Sequence, residues 1–232
     1  MQAALRMVFT RWGKPKRMRV DNGHPWDRND SLPEALSLWL IGLGIEMVWN
    51  PPARPWRNGK VERFHGVIDR WVAPERLQNG TDMRAWLDWA TQMQREIYPS
   101  IGGVSRAEAF PQLHRKGQPY DREHEPEEWC LGRVQVYLAQ GVWRRLVGKK
   151  GQITIYNRAY SVGQAHARES VEVRYAPETN EWVITDENGV ELARHQATEI
   201  TAERIRALQV SYVKPGRRKE GRCRRYVGQV EP

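Results

Sequence analysis

The chain of 232 residues is long enough for one large domain or two small ones with at least one buried core. Lysine and arginine outnumber aspartate and glutamate by 37 to 28, and the net charge of +9 favours a polyanionic partner such as nucleic acid. Two distant cysteines, Cys130 and Cys223, without CxxC or Cys/His spacing, exclude a disulfide framework and a zinc site. The longest mostly apolar stretch, residues 35–45, is too short to span a bilayer, and no apolar signal region opens the chain. We therefore expect a soluble protein that meets no membrane.

The first half of the chain alternates helix and strand signals. These signals predict helices over residues 1–12, 32–43, 59–72, 83–98 and 106–112, and strands over residues 17–20 and 45–49. Asn22-Gly23 is a strong turn signal, so Asp21 stands at the carboxyl end of the first strand. Ser31 suits the N-cap of the second of these helices.

The helix predicted over residues 59–72 has an apolar stripe and two charged edges. Apolar residues at helical spacing predict a core-facing stripe of Val61, Phe64, Ile68, Trp71 and Val72. One flank of the stripe is cationic and carries Lys60, Arg63 and Arg70. The other flank is acidic and carries Glu62 and Asp69.

In the second half of the chain, the apolar residues change from helical spacing to the alternating spacing of strands. Charged and turn-forming residues over 116–128, KGQPYDREHEPEE, predict a linker between a first domain, 1–115, and a second, 129–200. Short alternating runs then predict strands over residues 133–138, 151–156, 159–162, 170–175, 181–185 and 191–195. Strands of this kind predict a small antiparallel β-barrel. Residues 201–232 hold a short helix at 202–208 and a tail, KPGRRKEGRCRR, whose basic composition is typical of disorder.

Asp21 and Glu62 are the acids that could carry chemistry. One ends a strand and the other lies in the first turn of a helix, with 40 residues between them. Two such carboxylates can hold Mg²⁺, which completes its octahedron with water and phosphate oxygens, and two ions suit phosphoryl transfer on a polynucleotide. The alternative is structural, because Asp before Asn-Gly is a common turn residue and Glu is favoured near a helix N-terminus.

The segment RVDNGHPW, followed by LPEALSLWLIGLGIEMVWNPPARPWRNGKVERFHG, resembles the DDE transposase and retroviral-type integrase superfamily, in particular the transposases of bacterial insertion sequences. The residues that fall on the family pattern are Pro51, Pro55, Asn58, Gly59, Glu62, Arg63 and His65. The resemblance covers residues 1 to about 72 and implies an RNase H-like α/β core with Mg²⁺, or Mn²⁺, as cofactor. It also implies that Asp21 is the second acid of a catalytic triad and Glu62 the third. Their separation exceeds the usual family spacing, which implies a small insertion in the 24–33 turn.

One departure from the family pattern concerns the first acid of the triad. The family carries it on a strand upstream of the helix that matches residues 1–12, and residues 1–20 contain no acid. We therefore expect a truncated or mis-started, catalytically incomplete form of the core, since losing a member of a catalytic unit costs several orders of magnitude in rate. The alternative is a non-catalytic DNA-binding protein that uses the β-barrel and the basic tail. A third hypothesis, a nuclease of the same fold class, needs the same missing carboxylate.

Candidate DNA contacts lie in three parts of the chain. Residues 151–194 resemble the small β-barrel that follows the catalytic core in Mu-type and related transposases, where it helps bind DNA. The candidates are Asn58, Lys60 and Arg63 near the acid, Lys149, Lys150, Arg158 and Arg168 in the second domain, and Arg217, Arg218, Lys219, Arg224 and Arg225 in the tail. The cations of the second domain have an alternative role, which is to keep the protein soluble without contacting phosphate.

The expected fold class is α/β, with a partial RNase H-like catalytic core followed by a small antiparallel β-barrel. The expected partner is double-stranded DNA, both transposon ends and target, with a homo-oligomer left open. The expected location is cytoplasmic and nucleoid-associated.

Overall fold

The computed structural model describes residues 1–23, 25–26, 32–51, 59–71, 79–114 and 117–211. The described chain is mixed α/β and divides into two compact units, 1–143 and 144–232, of which the second is described as far as residue 211. None of the helices in these ranges is long and apolar enough to cross a membrane.

The first unit is mainly helical. Its elements are α1 (Gln2–Trp12), β1 (Arg17–Val20), α2 (Ala35–Gly42), β2 (Glu46–Trp49), α3 (Gly59–Trp71), α4 (Gly80–Gln92), a π-helical turn (Met93–Ile97), α5 (Arg106–Ala109), a 3-10 turn (Pro111–His114), α6 (Glu125–Glu128) and α7 (Leu131–Ala139). The helix predicted over 32–43 begins only at Ala35, after Glu34 as N-cap. Ser31, the predicted cap, lies outside the described residues.

Strands β1 and β2 pair in parallel, with Arg17 opposite Glu46 and Val20 opposite Trp49. A parallel pair needs a crossover connection, and α2 lies within that connection. Every residue of α2 is buried, as expected of a helix that is apolar on all sides.

Three distant segments of the first unit meet at one buried carboxylate. Glu125 is 2% exposed and accepts two hydrogen bonds from the Arg6 guanidinium, at 2.8 and 2.6 Å. It also accepts from Trp39 Nε1 at 3.0 Å and from the Tyr120 hydroxyl. Burial opposes the charge, but these hydrogen bonds outweigh it and hold the pKa of Glu125 below its ordinary value. Helix α1, helix α2 and the segment 117–128 are thereby joined.

The segment predicted as a linker is part of the first unit. Lys14 and Gln118 exchange two backbone hydrogen bonds of 2.8 Å, next to the close approach of Gly13 and Gly117. Trp129 packs its ring on the backbone of Gly42, where a Cβ atom would lie 2.2 Å from the indole. The boundary between the compact units therefore falls at residue 143 rather than within 116–128.

Residues 133–138 were predicted as a strand and are helical in α7, so this prediction is wrong. Val134 and Leu138 are fully buried and Val136 is 60% exposed. An alternating pattern over five residues places positions i and i+4 on one face of a helix as well as on one face of a strand. Burial against α2, which α7 contacts, selected the helix.

Helices α3 and α4 pack together around a small apolar cluster. Ile68 and Ala90 are buried at its centre, and Phe64, Trp71 and Met83 pack against them. Val61, predicted in the apolar stripe, is 55% exposed, and Val72 lies outside the described residues. Helix α4 begins at Gly80, earlier than predicted, because the side chain of Asn79 caps it by accepting from two backbone N–H groups.

The second unit is mainly β. Its elements are β3 (Trp143–Leu146), β4 (Gln152–Ile155), β5 (Arg158–Ser161), a 3-10 turn (Gln164–His166), β6 (Ser170–Ala176), β7 (Glu181–Thr185), β8 (Glu191–Gln196) and α8 (Ala202–Arg206). Strand β3 begins at the last residue of the first unit and was not predicted.

The predicted closed β-barrel is not formed by the described strands. Four strands make a sheet in the order β3-β6-β7-β8, and β4 and β5 form a separate antiparallel hairpin. Closure would need backbone pairing between the hairpin and the sheet. Instead β5 meets β8 through a side chain, as the Nε2–H of His195 donates to the Ser161 carbonyl at 2.6 Å.

A second buried carboxylate joins the hairpin of the second unit to its sheet. Glu199 is fully buried and accepts from the Tyr160 hydroxyl at 2.7 Å and from Trp182 Nε1 at 2.8 Å. The pKa of Tyr160 is raised, mainly by burial and secondly by the hydrogen bond to Glu199. The hydroxyl therefore keeps its proton and donates to Glu199.

We predict that Glu125→Gln destabilises the first unit by about 3 kcal/mol, because it leaves the Arg6 guanidinium without its charged partner. Hydrogen exchange of α2 peptides in the full chain, followed by mass spectrometry, measures the loss of protection. The difference from wild type should be full above the ordinary Glu pKa of 4.5 and shrink as pH falls through the lower folded-state value. Glu123→Gln, at an exposed position of the same segment, is the control, and equal protection in both variants would contradict the prediction.

We predict that Tyr160→Phe destabilises the second unit by about 1–3 kcal/mol, because it leaves one oxygen of the buried Glu199 without a donor. Exchange of β7 peptides in the full chain measures the effect. Peptides from α2 are the internal control and should keep their protection. Unchanged exchange of β7 would show that the hydroxyl contributes nothing to this unit.

Candidate functional site

The first candidate acid, Asp21, follows the last residue of β1 directly. Parallel pairing places this strand end beside the end of β2, where Asn50 N donates to Val20 O at 2.9 Å. Asn22 Nδ2 donates to Asn50 O at 2.7 Å and ties the two ends together. In open parallel sheets, the carboxyl ends of the strands are the usual place for ligand sites.

The Asp21 carboxylate is exposed, and its one hydrogen bond from a described residue is weak and local, with Gly23 N donating to Oδ1 at 3.3 Å. This contact is the turn role that the structural alternative predicts. No described residue donates to the other carboxylate oxygen.

Glu62, the second candidate acid, lies in the first turn of α3. Its side chain is exposed, and no described residue forms a hydrogen bond or ion pair with it. In particular, the described contacts include no hydrogen bond between Glu62 and Asp21. The Asn58 prediction falls outside the described residues, and the side chain of Lys60 also lies outside them.

The donor chemistry of the two acids fits a hard divalent cation such as Mg²⁺, which one or two carboxylates can hold together with water and phosphate oxygens. Across the described ranges, no group of three or more His, Cys, Asp or Glu side chains is placed to hold a metal ion. Each acid thus has the chemistry of a ligand for such an ion, and the described residues do not group the two with a third acid.

The other predicted residue of α3, Arg63, lines a cavity of about 570 Å³ in the first unit. Arg70 from the same helix and Arg106 from α5 line it too. The sequence indicated a cationic edge with Arg63 and Arg70. It gave no signal that Arg106, more than thirty residues later, would join them.

Three of the four cations predicted in the second unit lie at one end of β3. Lys149 and Lys150 are exposed in the turn between β3 and β4, which is closed by Gly148 N donating to Gln152 O at 2.8 Å. Arg168 N donates to Val147 O at 2.9 Å, so this third exposed cation lies beside the same turn.

None of these three cations forms an ion pair with a described residue. Arg158, also predicted, donates to Thr198 Oγ1 at 3.1 Å and is only partly exposed. The tail cations lie outside the described residues. They are Arg217, Arg218, Lys219, Arg224 and Arg225.

A search of the chain against models of known protein families finds no match. The motif around Asp21 and Glu62 and the placement of the exposed cations are the features of the chain that bear on its function.

Proposed function

We propose that the chain is a DNA-binding protein of the transposase or integrase type. The observation that carries the proposal is the order of elements around the two acids. Asp21 ends β1, the crossover through α2 returns the chain to the parallel strand β2, and the next helix, α3, has Glu62 in its first turn. This order matches the one that the sequence resemblance implies for the second and third acids of an RNase H-like core.

In this proposal Asp21 and Glu62 hold one Mg²⁺ or Mn²⁺. When bound, the ion would supply Lewis-acid stabilisation of a phosphate oxygen. The side chains of Asp21 and Glu62 contribute the anionic oxygens, and the Asn22 contact with Asn50 fixes the strand end from which Asp21 projects.

We further propose that the chain does not cut and join DNA by itself. The described residues group no third acid with Asp21 and Glu62. A two-ion phosphoryl transfer needs one ion for the attacking oxygen and one for the leaving oxygen. Two carboxylates fit one ion, so DNA binding is the activity we assign.

Duplex DNA binding is proposed to use Lys149 and Lys150, supported by Arg168, together with the basic tail. Unpaired, exposed cations gain most from phosphate neutralisation, because each contact releases condensed counterions. Binding to the chromosome would give the chain a nucleoid location.

The second candidate function is also non-catalytic DNA binding, but by the second unit and the basic tail alone, with acids that hold no metal. The contact between Asp21 and Gly23, which is the ordinary turn role of an aspartate, favours it. The two candidates differ in their response to divalent metal.

We predict that the full chain binds one Mn²⁺, the spectroscopic substitute for Mg²⁺, and that Asp21→Asn and Glu62→Gln each abolish this binding. Electron paramagnetic resonance of free Mn²⁺ gives the stoichiometry and affinity. Asp69→Asn is the matched control, because it removes an exposed acid about two turns further along α3. Undetectable Mn²⁺ binding by wild type, or equal loss in the control, would leave the candidate in which the acids hold no metal.

We predict that Lys149→Gln/Lys150→Gln weakens duplex binding and makes the slope of log K against log salt less negative by about 0.9 for each lost contact. Fluorescence anisotropy of a labelled duplex at several salt concentrations, with chelator present, measures both quantities. The control Arg174→Gln/Arg194→Gln removes the same charge from positions already paired with carboxylates, and it should change the slope little. A slope that is near zero for wild type would rule out duplex binding by either candidate function.

A further inference from the structure

The cavity of about 570 Å³ in the first unit has the size of a small-molecule site. It lies between α3, the π-helical turn and the segment 98–110. The residues of its lining that matter here are Arg63, Arg70, Arg106, Gln94, Tyr98 and Phe110. No carboxylate is part of the described lining.

The cationic wall is built by two elements. Arg63, Val67 and Arg70 follow one another at positions i, i+4 and i+7 of α3 and so share one face. Arg106 approaches from α5. None of the three guanidiniums forms an ion pair with a described residue.

Local contacts orient two of these guanidiniums by their Nε atoms. Arg70 Nε donates to Gly66 O at 2.9 Å, and Arg106 Nε donates to Ser100 Oγ at 3.3 Å. Arg106 also lies over the ring of Phe64, 5.8 Å from its centroid. Their terminal nitrogens are left to donate to an anion, and a guanidinium pairs best with the oxygens of phosphate or carboxylate.

A buried amide adds an independent sign of a ligand. Gln94 lies in the π-helical turn and is 2% exposed, and its Oε1 has no hydrogen-bond partner among the described residues. An unpaired buried amide oxygen is costly, and π-helical turns occur often at functional sites. Because this oxygen accepts, a ligand that satisfies it must donate a hydrogen bond, as the amino group of a base can.

Two aromatic rings form an apolar wall of the same cavity, beside the cationic one. Tyr98 and Phe110 line the cavity and are 42% and 43% exposed. The ring of Tyr98 is fixed by an edge contact with Trp71, at 5.2 Å between centroids. Partly exposed rings on a cavity wall offer a surface on which a planar group can stack.

We propose that this cavity binds a nucleoside phosphate. The phosphate pairs with Arg63, Arg70 and Arg106, the base lies against Tyr98 or Phe110, and the amide of Gln94 hydrogen-bonds to polar groups of the base. The same chemistry is offered by a free nucleotide and by one nucleotide of a single DNA strand. The site uses none of the cations of the second unit. Nucleotide binding at this cavity is therefore independent of duplex binding by Lys149 and Lys150.

The test uses the full chain with two probes, deoxyadenosine 5′-monophosphate in calorimetry and a fluorescent single-stranded deoxyadenosine oligonucleotide in anisotropy. We expect Arg70→Gln and Arg106→Gln each to weaken binding by about tenfold or more, as for the loss of a charge-assisted hydrogen bond. The control Arg84→Gln removes the same charge from an exposed position of α4 outside the cavity lining and should bind like wild type. Deoxyadenosine without phosphate should bind far more weakly than the monophosphate.

Gln94→Leu separates binding from folding. Replacing an unpaired buried amide with an apolar side chain should leave thermal stability unchanged or raised, while affinity for the monophosphate falls by about fivefold to tenfold. Binding of the monophosphate identifies a free nucleotide as ligand, and binding of the oligonucleotide alone identifies a strand. Equal affinity of wild type, Arg70→Gln and Arg106→Gln for both probes, or an equal loss in Arg84→Gln, overturns the proposal.

Discussion

The first unit depends on the neutralisation of one buried carboxylate. Glu125 receives the Arg6 guanidinium from α1, the Trp39 indole from α2 and the Tyr120 hydroxyl from the segment before α6. A buried charge is tolerated only when its partners satisfy it, so the three segments must be present together. This requirement makes 117–128 part of the first unit, although its composition is that of a linker.

Burial of α2 then determines where the candidate acid lies. The helix is covered by α1, by α7 and by Trp129, whose Nε1 donates to Trp39 O at 3.0 Å. Held in this way, the crossover brings β2 alongside β1 and leaves the carboxyl ends of both strands together. Asp21 is therefore exposed at a strand end that buried residues support, which is the arrangement in which a loop residue can serve a ligand site.

The cavity beside α3 and the cationic turn of the second unit show two ways of presenting positive charge. Around the cavity, Arg70 and Arg106 each donate one hydrogen bond from Nε, at 2.9 and 3.3 Å, and the described lining holds no acid. At the β3–β4 turn, Lys149 and Lys150 are exposed and form no ion pair with a described residue. The first arrangement favours recognition of one phosphate in a defined position, and the second favours non-specific attraction to a polyanion.

The sequence by itself determined most helices and strands of both units, since their apolar periodicity and turn residues are local properties. It also placed Asp21 at a strand end and Glu62 in a first helical turn. Only the tertiary structure decided that residues 133–138 are helical, because Val134 and Leu138 satisfy both periods and burial against α2 selects one. The tertiary structure likewise left the β4–β5 hairpin unpaired with the sheet and brought Arg106 and Gln94 to the α3 cavity. Contacts between residues far apart in the chain depend on packing, and no local pattern encodes them.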